Sequence, residues 1–260
     1  MGARLTFMII CLAIIQACAT SPTGRSQLAL MPQDQLDEMG VQAFRAIKKD
    51  TPVEHDQVTN RYVQCVAGAI TREVGGRWEV LVFRDDAANA FALPGGKIGV
   101  YTGLLKVAEN QHQLATVIGH EVAHVLSNHA NERVSQKFAV EQGLSLISAA
   151  ANPQSGTGRT VMGVLGVGAQ YGILMPYSRI QEGEADVYGL DLMARAGFDP
   201  RESVQLWKNM ARSGGGQPPE FLSTHPSHST RISGLNRRIP TAMQLQKRAI
   251  QSGKRPDCRR

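Results

Sequence analysis

Aromatic residues are scarce in this chain, where they make up only 5% of 260 residues, and they are not interleaved with its basic residues. The sequence also contains no nucleic-acid recognition motif, so it predicts no nucleic-acid partner. Internal repeats are absent as well. The composition, with 42% hydrophobic and 19% charged residues, is that of an ordinary globular chain that is long enough to bury a full core.

Long hydrophobic runs are also missing. The apolar stretch Leu5–Ile15 is shorter than the about 20 residues that span a bilayer, and it follows Arg4, as in a signal peptide. A second apolar run, Val161–Met175, carries four glycines and is therefore not predicted to cross a membrane. It is either a mobile lid over a cleft or a closely packed core helix.

The chain has only four cysteines, and one of them predicts a location. The segment Ile15-Gln16-Ala17-Cys18 resembles a bacterial lipobox, with cleavage before Cys18 and lipid attachment to its thiol; simple secretion is the alternative. Ala19 resembles the pattern that is sorted to the outer membrane. We therefore predict a signal peptide over residues 1–17, a lipidated tether over residues 18–30, and a periplasmic protein anchored to the outer membrane.

With Cys18 acylated and Cys11 removed, Cys65 and Cys258 remain. An even pair in an oxidising compartment predicts a disulfide that ties the C-terminal tail to an N-terminal helix. The alternative is a free, buried thiol at Cys65, which lies in the apolar series that includes Val63 and Val66.

The motif His120-Glu121-Val122-Ala123-His124 indicates a metal-dependent hydrolase. With seven histidines in the chain, a chance match has a probability of about one in a hundred. On a helix, each residue turns by about 100°, so His120 and His124 share one face and can bind one zinc ion. Glu121 lies beside them, where it can act as general base on a water that the metal activates.

Two segments offer a third ligand. His129 would point about 140° away from His124 on a continuing helix, so we predict a surface histidine there. Glu182 and Asp186 are four residues apart on a second predicted helix, which Gly197 ends. Glu182 is thus placed to ligate, Asp186 to hydrogen-bond the free ring nitrogen of a ligating histidine, and Glu184 to face solvent. A simple acidic helix N-terminus is the alternative.

Four blocks of the sequence together resemble the zinc endopeptidase family that contains the HtpX membrane protease and the CAAX prenyl proteases, in its LoiP-like periplasmic lipoprotein branch. The blocks are the His-Glu-x-x-His motif, Glu-x-x-Ala-Asp at residues 182–186, the stretch 89–105 and the segment 224–232. The resemblance covers roughly residues 30 to 240, and the blocks keep the family's order.

The resemblance implies one Zn²⁺ per chain, with His120, His124 and Glu182 as ligands and Glu121 as general base. It also implies an edge strand from Asn89 to Tyr101 along which an extended substrate lies, with Asn89, Ala90, Phe91 and Ala92 as substrate-binding residues. The small residues of this stretch (Ala90, Ala92, Gly95, Gly96 and Gly99) would allow another backbone to approach closely. A plain hairpin with a Pro-Gly-Gly turn is the other interpretation, and it is compatible with substrate binding.

A loop histidine, His225, is a further candidate for the site because Pro226 holds its backbone extended. It would stabilise the oxyanion of the tetrahedral intermediate or occupy the open zinc position in a resting state. The alternative is an ordinary polar segment before a helix, to which we assign His228.

The predicted fold is α+β and predominantly helical: a zincin-like metallopeptidase domain over residues 31–245 with a small sheet that includes Trp78–Phe83 and Lys97–Tyr101. Residues 246–260 form a basic tail, either solvated or in contact with anionic lipid. The predicted function is envelope endopeptidase, with polypeptide substrates and with an envelope protease or outer-membrane protein as partner. The alternative is a periplasmic chaperone or assembly factor for outer-membrane proteins whose zinc site is structural or mostly closed.

Overall fold

The computed structural model describes residues 18–150, 174–213, 225 and 229–260. The predicted signal peptide, most of Val161–Met175, and His228 lie outside these residues. Within them, the predominantly helical α+β class is confirmed. None of the helices within the described residues is both long and apolar enough to cross a membrane.

The described strands are β1 (Cys18–Thr20), β2 (Ser26–Leu28), β3 (Glu79–Phe83), β4 (Ala90–Leu93) and β5 (Lys97–Tyr101). The described helices are α1 (Gln33–Asp50), α2 (Gln57–Arg72), α3 (Leu104–Val107), α4 (Gln111–Leu126), α5 (His129–Ala150), α6 (Leu174–Arg195), α7 (Glu202–Ser213) and α8 (Ser229–Gln251). The chain divides into two compact units, the first with residues 1–32 and 126–181 and the second with residues 33–125 and 182–260.

In the first unit, the predicted tether contains an antiparallel hairpin of β1 and β2. Arg25 binds the buried carboxylate of Glu132 on α5 through two short hydrogen bonds of 2.6 and 2.7 Å. Gln181 donates to the same carboxylate at 2.6 Å, and Ser135 accepts a hydrogen bond from the backbone of Leu30. Residues 18–30, which the sequence predicted as a tether, therefore include a segment that is fixed to α5.

The core of the second unit contains a three-stranded sheet in the order β3-β5-β4. Strand β5 runs parallel to β3 and antiparallel to β4, so β4 is an edge strand. The predicted strands Trp78–Phe83 and Lys97–Tyr101 correspond to β3 and β5. The single edge strand predicted from Asn89 to Tyr101 is wrong, because this stretch is a hairpin whose second strand occupies the centre of the sheet.

The glycines of this hairpin serve the turn and the packing rather than a substrate backbone. Gly95 and Gly96 adopt positive φ angles of 77° and 69° in the turn, a conformation that favours glycine. A Cβ on Gly99 would lie 2.2 Å from the ring of Phe91, so this glycine leaves room for that ring. The Phe91 ring also contacts Phe44, Phe83 and Tyr101, which makes it a half-buried member of an aromatic cluster.

Helices α1 and α2 each bury one face. Leu36 and Phe44 are buried on α1, and Tyr62, Val63, Val66 and Ile70 are buried on α2. Met39 and Val58, by contrast, are 47% and 45% exposed. Both are at the margin of their apolar stripes, where periodicity alone does not determine burial.

The C-terminal tail is held against the second unit rather than being a wholly solvated end. Residues 246–251 belong to α8, and Lys254 then pairs with Glu73 at 2.7 Å. Cys65 and Cys258 form a disulfide with a Cα–Cα distance of 5.7 Å, in agreement with the predicted pairing. The backbone N–H of Cys258 donates to Gln111 at the first residue of α4.

We expect mass spectrometry of a digest of the unreduced protein to find the cross-linked peptide that joins Cys65 to Cys258. The two cysteines are 193 residues apart, so in the chain-entropy model the bond stabilises the fold by about 5 kcal/mol. Reduction should therefore lower the Tm markedly, and the same digest after reduction is the control. Two free thiols in the unreduced sample would contradict the pairing.

Candidate metal centre

Helix α4 carries the His-Glu-x-x-His motif and is buried nearly all round. Its first turn is capped by Asn110, whose side-chain oxygen accepts from the backbone N–H groups of His112 and Gln113 at 3.0 Å each. Every residue from Gln113 to His124 is buried. A helix that is apolar on most faces packs against neighbours on all sides, so its polar side chains must find partners in the interior.

A close helix crossing sets the distance between the two halves of the site. A Cβ on Gly119 of α4 would lie 2.8 Å from the carbonyl oxygen of Gly189 on α6, and one on Gly189 would lie 2.7 Å from the backbone nitrogen of His120. Any side chain at either position would push the helices apart. The two glycines therefore let α4 and α6 approach closely enough for their polar side chains to meet.

Four side chains of the second unit converge at this crossing: His120, His124, Glu182 and His225. One potential ligand atom from each lies within 4.8 Å of those of the others, and all four residues are buried. His120 Nε2 lies 3.0 Å from His124 Nε2 and 3.3 Å from Glu182 Oε2. His225 Nδ1 lies 2.9 Å from Glu182 Oε1, so the loop histidine is part of the same group.

Glu121 lies between this group and the edge strand. Its Oε2 accepts a hydrogen bond from the backbone N–H of Ala92 at 3.3 Å, while His225 Nε2 lies 3.4 Å from its Oε1. Asn89 accepts a hydrogen bond from Tyr101 of β5, so in an antiparallel pair the backbone groups of Ala90 and Ala92 point away from β5. The free edge of β4 therefore faces the carboxylate of Glu121.

Asp186 and Arg231 contact residues of the metal-binding group. Asp186 Oδ1 lies 3.1 Å from His120 Nδ1, which agrees with the contact predicted for Asp186. Arg231 on α8 donates to both carboxylate oxygens of Asp186 at 2.6 Å, and its Nη1 lies 3.1 Å from Glu182 Oε2. Sequence reasoning missed Arg231, although it lies in the segment 224–232 that carried part of the resemblance.

The charges of the site shift the pKa values of its histidines in opposite directions. Burial lowers the pKa of His120, but hydrogen bonds with Asp186 and Glu182 outweigh it and raise the pKa to about 9. Burial holds the pKa of His124 well below its usual value, so its imidazole is neutral and keeps a lone pair for a metal. The carboxylates thus attract positive charge to His120, and a metal cation that binds there would replace the proton.

The pKa values of the two supporting carboxylates are lowered. Burial alone would raise the pKa of Glu182, but its contacts with His120, His124 and His225 outweigh burial and lower it. Burial likewise opposes ionisation of Asp186, and the hydrogen bonds from Arg231 outweigh it. Both groups are therefore carboxylates at neutral pH.

The donor set fits a zinc ion. Two imidazole nitrogens at a spacing of four residues and one carboxylate form a ligand set that catalytic zinc sites use. Among the described residues, Glu121 Oε1 and Glu182 Oε2 are buried oxygens without a hydrogen bond, although His225 lies 3.4 Å from the first and His120 and Arg231 lie 3.3 and 3.1 Å from the second. A bound cation would compensate the buried carboxylate of Glu182.

Two predictions about neighbouring residues are wrong. Glu184 is 7% exposed and His129 is fully buried, whereas both were expected at the surface. His129 belongs to the first unit and is absent from the metal-binding group found among the described residues. The angle of about 100° per residue gave the direction of each side chain on its helix. It could not show that other residues cover these helices on several sides.

Comparisons with known proteins agree with this geometry. The sequence model that describes peptidase family M48 matches residues 54–239 of this chain. The human mitochondrial metalloendopeptidase OMA1 is 34% identical over 240 residues, which cover 86% of this chain and 46% of that protein. The OMA1 of Saccharomyces cerevisiae is 37% identical over 185 residues, 66% of this chain and 50% of that protein.

A bacterial relative is the β-barrel assembly-enhancing protease of Yersinia pestis, which is 28% identical over 228 residues, 83% of this chain and 46% of that protein. The chain spans about half the length of these relatives. They support the predicted family, whereas the finer likeness to HtpX, the CAAX proteases or LoiP stays a prediction.

Proposed function

This chain belongs to peptidase family M48, a family of metallopeptidases, and we propose that it is a zinc endopeptidase of the bacterial cell envelope. Its proposed substrates are extended or misfolded polypeptides. The observation that carries the proposal is the contact of Glu121 with the free edge of β4, beside three potential zinc ligands.

In this proposal, His120, His124 and Glu182 hold the zinc ion, which when bound would supply a Lewis acid that polarises the scissile carbonyl and acidifies water. An extended substrate pairs with the outward-pointing backbone groups of Ala90 and Ala92. In this proposal the backbone of Phe91 does not pair with the substrate, since its N–H and C=O groups face Gly99 of β5. The substrate carbonyl takes the N–H of Ala92, and Glu121 is then released from that hydrogen bond.

Glu121 acts as general base on the attacking water and then returns the proton to the leaving amine. Both tasks need a carboxylate beside the scissile bond, and the contact with Ala92 places Glu121 beside the proposed path of the substrate. Oxygen Oε1 of Glu121 lies 3.4 Å from His225 Nε2 without forming a hydrogen bond, and in this proposal it is the oxygen that takes the proton of the water.

The location rests on two supports. The lipobox-like segment Ile15–Cys18 predicts a lipid anchor at the outer membrane, and relatives from Yersinia pestis and Vibrio cholerae are named as β-barrel assembly-enhancing proteases. By analogy with those names, outer-membrane proteins are the proposed clients.

The same names, together with His225 in the ligand group, favour a second candidate function, an assembly factor whose zinc site is mostly closed. Cleavage of casein with and without a zinc chelator separates the two functions. We expect the purified chain to cleave casein, a chelator to stop cleavage and added zinc to restore it. Binding of casein without any cleavage would favour the assembly factor.

His225→Ala is expected to raise turnover severalfold while the zinc content stays near one ion per chain. The reason is that His225 Nδ1 lies within the ligand group, where it competes with water and substrate for the open position. Metal analysis and casein cleavage measure the two quantities. A fall in turnover would instead assign His225 to the oxyanion, and unchanged turnover would remove it from the site.

A further inference from the structure

Arg231 is the one described cation, apart from the histidines, that contacts the metal-binding group, and four different parts of the second unit hold it. It binds Asp186 through two hydrogen bonds of 2.6 Å, and its Nη1 lies 3.1 Å from Glu182 and donates to the backbone carbonyl of His225 at 3.3 Å. Its guanidinium lies 4.0 Å from the ring centroid of Trp207 on α7, and its Nη2 lies 3.4 Å from Nδ1 of His120 on α4. Only 5% of Arg231 is exposed.

The contacts of Arg231 orient one ligand. Oδ1 of Asp186 accepts a hydrogen bond from Arg231 Nη2 and lies 3.1 Å from His120 Nδ1, while Arg231 Nη2 itself lies 3.4 Å from the same ring nitrogen. Nitrogen Nε2 of His120 lies near His124 and Glu182. Arg231 therefore fixes the ring of His120 both directly and through Asp186.

Arg231 also balances the charge of the buried site. Glu121, Glu182 and Asp186 are three buried carboxyl groups. The guanidinium of Arg231 contacts the carboxylates of both Asp186 and Glu182 and so compensates negative charge beside the proposed ion. Without Arg231, both carboxylates would lose this buried cation, which favours their misplacement.

From this geometry we infer that Arg231 is a positioning residue of the metal centre, which holds Asp186, Glu182 and the backbone of His225 in the arrangement that binds zinc. The inference rests on the proposed zinc function. Mutation of a residue that hydrogen-bonds to a metal ligand typically lowers metal affinity 10- to 100-fold, and we expect about this range for Arg231.

The test compares Arg231→Met with Arg238→Met in the full chain. Arg238 is a matched control, because it forms a paired contact with Asp191 between the same two helices, α8 and α6, away from the metal-binding group. The Kd for Zn²⁺ is measured by competition with a chromogenic chelator, and the Tm is measured for both metal-free proteins. We expect Arg231→Met to weaken zinc binding about 10- to 100-fold and Arg238→Met to leave it within about twofold.

A second variant distinguishes a loss of zinc affinity from a folding defect. Arg231→Lys keeps the charge but loses the two-pronged contact with Asp186, so we expect an intermediate Kd at nearly unchanged Tm. Equal zinc affinity of the wild type, Arg231→Met and Arg231→Lys would overturn the positioning role, as would an equal loss in Arg238→Met. A wild-type chain that neither binds zinc nor cuts casein would overturn the proposed function itself.

Discussion

Glu121→Gln is expected to reduce peptide cleavage about 10²- to 10⁴-fold, the usual contribution of a general base. The amide oxygen of glutamine can still accept the hydrogen bond from Ala92 that Glu121 Oε2 accepts now, so the fold should be kept. Glutamine cannot take a proton from water. The zinc content should stay near one ion per chain, because Glu121 is absent from the four-residue metal-binding group.

The control is Glu109→Gln, which makes the same chemical change at an exposed glutamate just before α4. It should leave casein cleavage unchanged. If Glu121→Gln cut casein within a fewfold of the wild-type rate with bound zinc, Glu121 would not be the base. A large loss of zinc would instead assign Glu121 to metal binding.

Much of this site could be predicted because its information is local. His120 and His124 are four residues apart on one helix, as are Glu182 and Asp186 on another, and helical geometry alone gives each pair a shared face. The contact between Asp186 and His120 could be predicted because a histidine that binds a metal through one ring nitrogen usually hydrogen-bonds through the other.

The features that could not be predicted depend on contacts between distant segments. Gly119 and Gly189 are 70 residues apart, and neither shows by itself that two helices cross there. Arg231 looked like one of many basic residues, since its role comes from burial beside Asp186. The sheet order also escaped prediction, because β5 follows β4 in the chain yet lies between β4 and β3.

The second large expected effect is the loss of zinc binding in Glu182→Gln. Its control is Glu184→Gln, because Glu184 is buried as well. Both glutamates are on α6 and both are buried, at 4% and 7% exposure, but only Glu182 belongs to the metal-binding group. An amide is a far weaker zinc ligand than a carboxylate, and the change also removes a negative charge that attracts the cation.

We therefore expect Glu182→Gln to weaken zinc binding by more than about 100-fold. This exceeds the usual effect of residues that only hydrogen-bond to the ligands. Casein cleavage should fall in parallel and recover in part at high zinc concentration, since the base Glu121 is intact. Glu184→Gln should bind zinc like the wild type. Chelator competition and casein cleavage across a zinc titration measure both variants. Equal zinc affinity of the two variants would mean that Glu182 is not a ligand, and that the charge of α6 rather than its geometry governs this site.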